Sequence, residues 1–88
     1  MLNTTQTQNI AKAVAAHGGK IGAIIADKLA EDCQNTAVVV WTKGDEDGWI
    51  THRAIIGEED SGAYLESGSY GWETLDKALE NALYRARL

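Results

Sequence analysis

Two runs of β-branched and aromatic residues flank an acidic turn bounded by glycines. Thr36-Ala37-Val38-Val39-Val40-Trp41-Thr42 leads into Lys43-Gly44-Asp45-Glu46-Asp47-Gly48, and Trp49-Ile50-Thr51-His52-Arg53-Ala54-Ile55-Ile56 follows. This is the pattern of a β-hairpin whose loop is longer than the tight two-residue kind. It constrains everything around it. A lone hairpin is marginal in water, so the flanking segments must cover one of its faces.

The flanks read mostly as helix. Thr4 or Thr5 can cap a first helix, with Ile10 and Val14 on one face and Ala13 and His17 beside them. Gly18-Gly19 ends it, because two glycines in a helix interior cost about 2 kcal/mol against alanine. Ile21, Ile25, Leu29 and Cys33 recur at every fourth position, which predicts a second helix from about Lys20 to Cys33. Gly22, Ala26 and Ala30 form a ridge of small residues along it.

After the hairpin, Glu58–Gly62 reads as a loop. Ala63-Tyr64-Leu65-Glu66 reads as a short third strand, and Ser67–Gly71 as another loop. Thr74 caps a last helix. Asp76 lies in its first turn, Arg85 and Arg87 in its last, and Leu75, Ala78, Leu79, Ala82, Leu83 and Ala86 form its apolar stripe.

The expectation is one α+β domain over residues 1–88, in the order α-α-β-β-β-α. A three-stranded antiparallel sheet carries its helices packed on one face. Expected core residues are Ile25, Leu29, Val38, Val40, Ile50, Leu65, Leu75, Leu79 and Leu83.

Charge narrows the function. Thirteen acids oppose eight bases among 88 residues, a formal net charge of −5. Six of those acids lie in two runs, Asp45-Glu46-Asp47 and Glu58-Glu59-Asp60. Nucleic-acid affinity comes largely from lysine and arginine displacing counterions, so direct nucleic-acid binding is not expected. The charge suits a larger, basic protein or nucleoprotein complex, since complementary fields speed encounter.

Cys33 is the single cysteine. The N-terminus shows neither the basic nor the apolar region of a signal peptide, and no apolar run is long enough to cross a bilayer. These features predict a cytoplasmic protein with no membrane association.

Motifs for chemistry are absent or broken. An EF-hand frame placed on Gly48 puts Lys43 and Ala54 where carboxylates are required, and strands where helices belong. His17, His52 and Cys33 lie on separate elements without ligand-pair spacing, so no metal or other cofactor is expected. His52, Asp60 and Ser61 supply the residue types of a triad but no nucleophile elbow. Gly18-Gly19-Lys20-Ile21-Gly22 follows a helix and lacks the Lys-Ser/Thr ending of a phosphate loop. A helix, three strands and a helix also resemble the order in double-stranded-RNA-binding domains. Trp72-Glu73-Thr74-Leu75-Asp76-Lys77, however, puts acids where phosphates would dock. Catalysis is therefore not expected.

An aromatic and charged surface remains. If Val38 and Val40 face the helices, then Trp41, Trp49, Arg53, Ile55 and Tyr64 line the other face. Asp45, Glu46, Asp47, Glu58, Glu59 and Asp60 then form its rim. Trp, Tyr and Arg dominate interface hot spots. In size, acidity and lack of catalytic motifs the chain resembles the small inhibitors encoded by phages and mobile elements, including anti-CRISPR proteins. The resemblance lies in size and charge. It implies a stoichiometric protein-binding inhibitor that blocks a basic, nucleic-acid-binding surface of a larger complex. The alternative is a non-catalytic accessory or regulatory subunit that homodimerises through the open sheet face.

Overall fold

The structure is a computed structural model and describes residues 4–26, 36–44, 48–56 and 62–86. Its elements are α1 (Thr4–Ala16), β1 (Lys20–Ala26), β2 (Thr36–Thr42), β3 (Trp49–Ile56), β4 (Ala63–Trp72) and α2 (Leu75–Ala86). The four strands form one antiparallel meander in the order β1-β2-β3-β4. The expected hairpin is its centre.

Helix α1 buries Ile10 and Val14, as their spacing predicts. It stops in a Schellman arrangement. Gly18 adopts φ 77°, its N–H donates to Ala15 O at 2.9 Å, and Gly19 N–H donates to Val14 O at 3.1 Å. The two glycines have separate tasks. Gly18 takes the left-handed turn, while Gly19 lets the chain pass against the Trp41 ring, where a Cβ would lie 2.6 Å from Cζ3. Helix α2 begins where Thr74 predicts: Thr74 Oγ1 accepts from Lys77 N–H at 3.2 Å.

Three expectations are corrected. First, Lys20–Ala26 is a strand, so the sheet has four strands and the order is α-β-β-β-β-α. Residues four apart share a face in a regular strand as in a helix, so the spacing of Ile21 and Ile25 could not separate the two; in β1 an irregularity between Ile21 and Ala23 sets Ile21 beside Trp41 and Ile25 beside Val38, on different faces. Pairing with β2 and the branched isoleucines decide for the strand. Leu29 and Cys33 lie outside the described residues. Second, β4 runs through the expected loop at Ser67–Gly71. Its turn-type residues carry local irregularities, with Ser67 at φ 53° and register shifts opposite Thr51.

Third, the helices lie on opposite faces of the sheet. Every residue of β2 from Thr36 to Trp41 is buried. Val39 and Trp41 join Ile10 and Val14 of α1 with Ile50, Ala54 and Ile56. Val38 and Val40 pack instead on Ala78, Ala82 and Ala86 of α2. A strand that is apolar on both sides needs cover on both sides. The open sheet face proposed for docking or dimerisation is therefore not there, because each face carries a helix. Of the expected core, Val38, Val40 and Ile50 are fully inside. Ile25, Leu65, Leu75 and Leu79 pack partly against it, and Leu83 points outward.

Candidate functional site

The expected aromatic patch is divided by the register of the hairpin. Trp41 pairs with Ile50 and Thr42 with Trp49, so Trp41 and Trp49 point to opposite faces. Trp41 is 2% exposed beneath α1 and offers no docking surface. Trp49 is half-buried on the α2 side with Trp72 and Leu75, filling the space left by Gly22. Arg53 and Ile55 share that side and are half-buried. Tyr64 is 60% exposed on β4. Asp45, Glu46, Asp47, Glu58, Glu59 and Asp60 lie outside the described residues, as do Cys33 and Ser61. The base of the first acidic turn is tied by Thr42, whose Oγ1 donates to Gly48 O at 2.7 Å and accepts from Gly44 N–H at 3.1 Å.

The structure adds residues that the sequence pattern did not single out. All three tyrosines of the chain are outside: Tyr64 at 60%, Tyr70 at 66% and Tyr84 at 80% exposure. Tyr64 and Tyr70 belong to β4, an edge strand. Tyr84 lies across an open groove of about 530 Å³ from Trp72, the last residue of β4. Lys77, Glu80 and Asn81 complete that groove. The Trp72 indole N–H is buried beside it without a hydrogen-bond partner among the described residues. The only available signal was residue type, since tyrosine has an apolar ring and a polar tip and suits a half-wet position.

Behind this edge, α2 is fastened by a polar brace. Thr51 Oγ1 donates to Asn81 Oδ1 at 2.8 Å. Arg85 donates through Nη1 to Thr51 O at 3.2 Å and Thr51 Oγ1 at 3.1 Å, and through Nη2 to Ser67 O at 2.6 Å. Arg53 Nη2 donates to Arg85 O at 3.4 Å. Burial first, and the Arg53 charge second, lower the Arg85 pKa below the ordinary arginine value. The guanidinium donors point at fixed carbonyls, so the pair secures the helix C-terminus to β3 and β4.

On the opposite face, His52 is 7% exposed. Its Nδ1 accepts the Trp41 indole N–H at 3.0 Å, and its Nε2 meets Tyr70 Oη at 3.1 Å. Indole is a donor only, so Nδ1 is unprotonated and the neutral ring carries its hydrogen on Nε2. That hydrogen points to Tyr70 Oη, and in this arrangement Nε2 is not a base for the phenol. Burial first, then the charges of Arg85 and His17, lower the His52 pKa. Among the described residues, no three His, Cys, Asp or Glu side chains gather as metal ligands, and no helix is long and apolar enough to cross a membrane. No family model, curated protein or solved structure matches the chain.

Proposed function

We propose that this chain is a small protein-interaction module that acts stoichiometrically, docking through the β4 edge and the adjoining face of α2. One observation carries the reading: Tyr64 on the α2 side of β4 and Tyr84 beside the end of that strand are exposed by 60% and 80%. Tyrosine combines a large rigid contact area with a low entropic cost of fixing it, so such exposed rings are suited to recognition. The net charge of −5 favours a basic partner. A phage-type inhibitor of the anti-CRISPR kind, covering a nucleic-acid-binding surface on a larger complex, fits this chemistry. Catalysis is not part of the proposal, because His52 is held in the tautomer that cannot activate Tyr70.

The test uses tagged wild-type chain and a Tyr64→Ala/Tyr84→Ala variant on nucleoprotein complexes from the native host. Retained complexes are then challenged with their own nucleic acid. The reading expects a specific complex that nucleic acid displaces, and at least about tenfold weaker retention by the variant, the size of one lost hot spot. Equal retention by a folded variant refutes it. A second reading is self-association along β4, favoured by the outer edge of that 10-residue strand, which pairs with no other strand among the described residues. Light scattering separates the two, since a dimer at micromolar concentration that hides β4 supports the second.

A further inference from the structure

His52 sits where three strands and the end of α1 meet. Trp41 reaches it from β2 and Tyr70 from β4, with ring centroids 5.7 Å and 5.4 Å from the imidazole. Gly68 of β4 lies directly on the ring, since a Cβ there would overlap His52 Nε2 and stand 2.7 Å from Tyr70 Oη. Trp41 in turn packs on Gly19 and stands 6.0 Å from the ring of His17, just beyond α1. One imidazole therefore ties β2 and the far half of β4 together through side chains, on top of the β3–β4 pairing at Thr51–Ser69 and Trp49–Trp72.

The neutral ring satisfies this arrangement, and the charged ring cannot. An imidazolium carries hydrogens on both nitrogens, while indole only donates. Whichever nitrogen faces Trp41, two N–H groups would oppose each other, so flipping the ring gives no relief. The neighbours add to the conflict. His17 at the end of α1 and Arg85 of α2, acting across the sheet, both disfavour a further positive charge. Arg53 adjoins it on β3, pointing to the other face. Tyr70 and Trp41 are neutral. No described carboxylate pairs with the ring, the one described ion pair being Lys77 with Glu73.

We propose that His52 is a proton-operated latch: neutral, it clamps Gly68–Trp72 of β4 to the sheet, and protonated, it leaves its slot and releases that segment. Release frees the buried Trp41 indole N–H and loosens the strand that carries Tyr70. The device stands independently of any partner.

The experiment is a nitrogen-15 NMR titration of the intact chain from about pH 7.5 to 4.5, combined with amide exchange. The latch requires His52 Nδ1 to be unprotonated at the upper end. As the ring gains its proton, protection of the Trp41 indole N–H and of the Gly68–Trp72 amides should fall at least about tenfold. The Val38–Val40 amides should keep theirs. In His52→Asn the side-chain carbonyl can accept the indole N–H without titrating, so the selective loss should vanish. A proton on Nδ1 at the upper pH overturns the proposal. So does an imidazole that charges while Trp41 and β4 stay protected. If the variant does not fold, the wild-type titration decides alone.

Discussion

Replacing Thr51 by valine isolates the polar brace beneath α2. Valine keeps the branched shape, so no cavity opens and only the hydroxyl is lost. Thr51 is wholly buried. Its hydroxyl donates to Asn81 Oδ1 at 2.8 Å and accepts from Arg85 Nη1 at 3.1 Å. A neutral hydrogen bond contributes about 1 kcal/mol net, and one from a charged donor about 1.5–3 kcal/mol. Arg85 Nη1 keeps the Thr51 carbonyl at 3.2 Å, so the lower end applies to the charged bond. The expected loss is about 2–3 kcal/mol. Unfolding entropy of about 2.1 cal/mol/K per residue gives about 0.18 kcal/mol/K for this 88-residue chain. Thr51→Val should therefore lower Tm by about 11–17 °C, with a matching drop in the urea midpoint at unchanged m-value. Thr51→Ser, which keeps the hydroxyl, should retain most of the stability. In a double-mutant cycle with Asn81→Ala the two losses should overlap by about 1 kcal/mol. A Thr51→Val loss below about 0.5 kcal/mol would refute the reasoning, since that is the scatter of inert surface substitutions.

Gly19→Ala forces a methyl into the Trp41 ring, which the bond to His52 holds in place. It should cost about 1–3 kcal/mol in urea unfolding, whereas Gly19 merely ending a helix would make the change neutral. Acidification should weaken the fold through His52. Its folded pKa lies below the ordinary 6.5, so the unfolded chain binds more protons just under that pH. The contribution is complete above 6.5 and is lost as pH falls toward the folded value, where it levels off. The wild-type minus His52→Asn difference in urea midpoint across this range reads it, and a difference that grows as pH falls below 6.5 contradicts the sign. Tyr64→Ala and Tyr84→Ala should change stability by less than about 0.5 kcal/mol, because both rings are in water. A larger loss in thermal unfolding would give these rings a structural role in place of the docking role.

The features legible in the sequence are those set by neighbouring residues. The Thr36–Ile56 hairpin, the face of α1 bearing Ile10 and Val14, and the Thr74 cap all follow from local pattern. What escaped depends on distant pairing. The spacing of Ile21 and Ile25 suits a helix and a regular strand alike, and only pairing with β2 shows a strand whose irregularity turns the two to different faces. Ser67, Gly68 and Gly71 carry turn chemistry, yet here they are built into β4. The candidate site depends most on such pairing. Which side Trp49 takes depends on the register set by the turn, and a one-residue slip exchanges every side chain between faces. Residue types therefore announced an aromatic surface, but only the paired register could say that tryptophans turn inward and tyrosines outward.

The two faces of the sheet are held by different forces, and this difference explains where a docking edge can exist. Against α1, large apolar side chains bury together, and the polar atoms of Trp41 and His52 satisfy one another. Against α2, the helix meets Val38 and Val40 through Ala78, Ala82 and Ala86. The three alanine methyls themselves bury little area, at about 25 cal/mol per Å², and Leu75, Leu79, Trp49 and Trp72 add partly buried contact around them. The methyls do let the helix approach closely, close enough for Asn81 and Arg85 to reach Thr51 and Ser67. The brace thus adds a polar fastening to the apolar contact on that side. Because it uses the inward flank of α2, the opposite flank is left to Lys77, Glu80 and Tyr84. That outer flank, with Tyr84 exposed across the groove from the end of β4, is where recognition can be built without disturbing the brace.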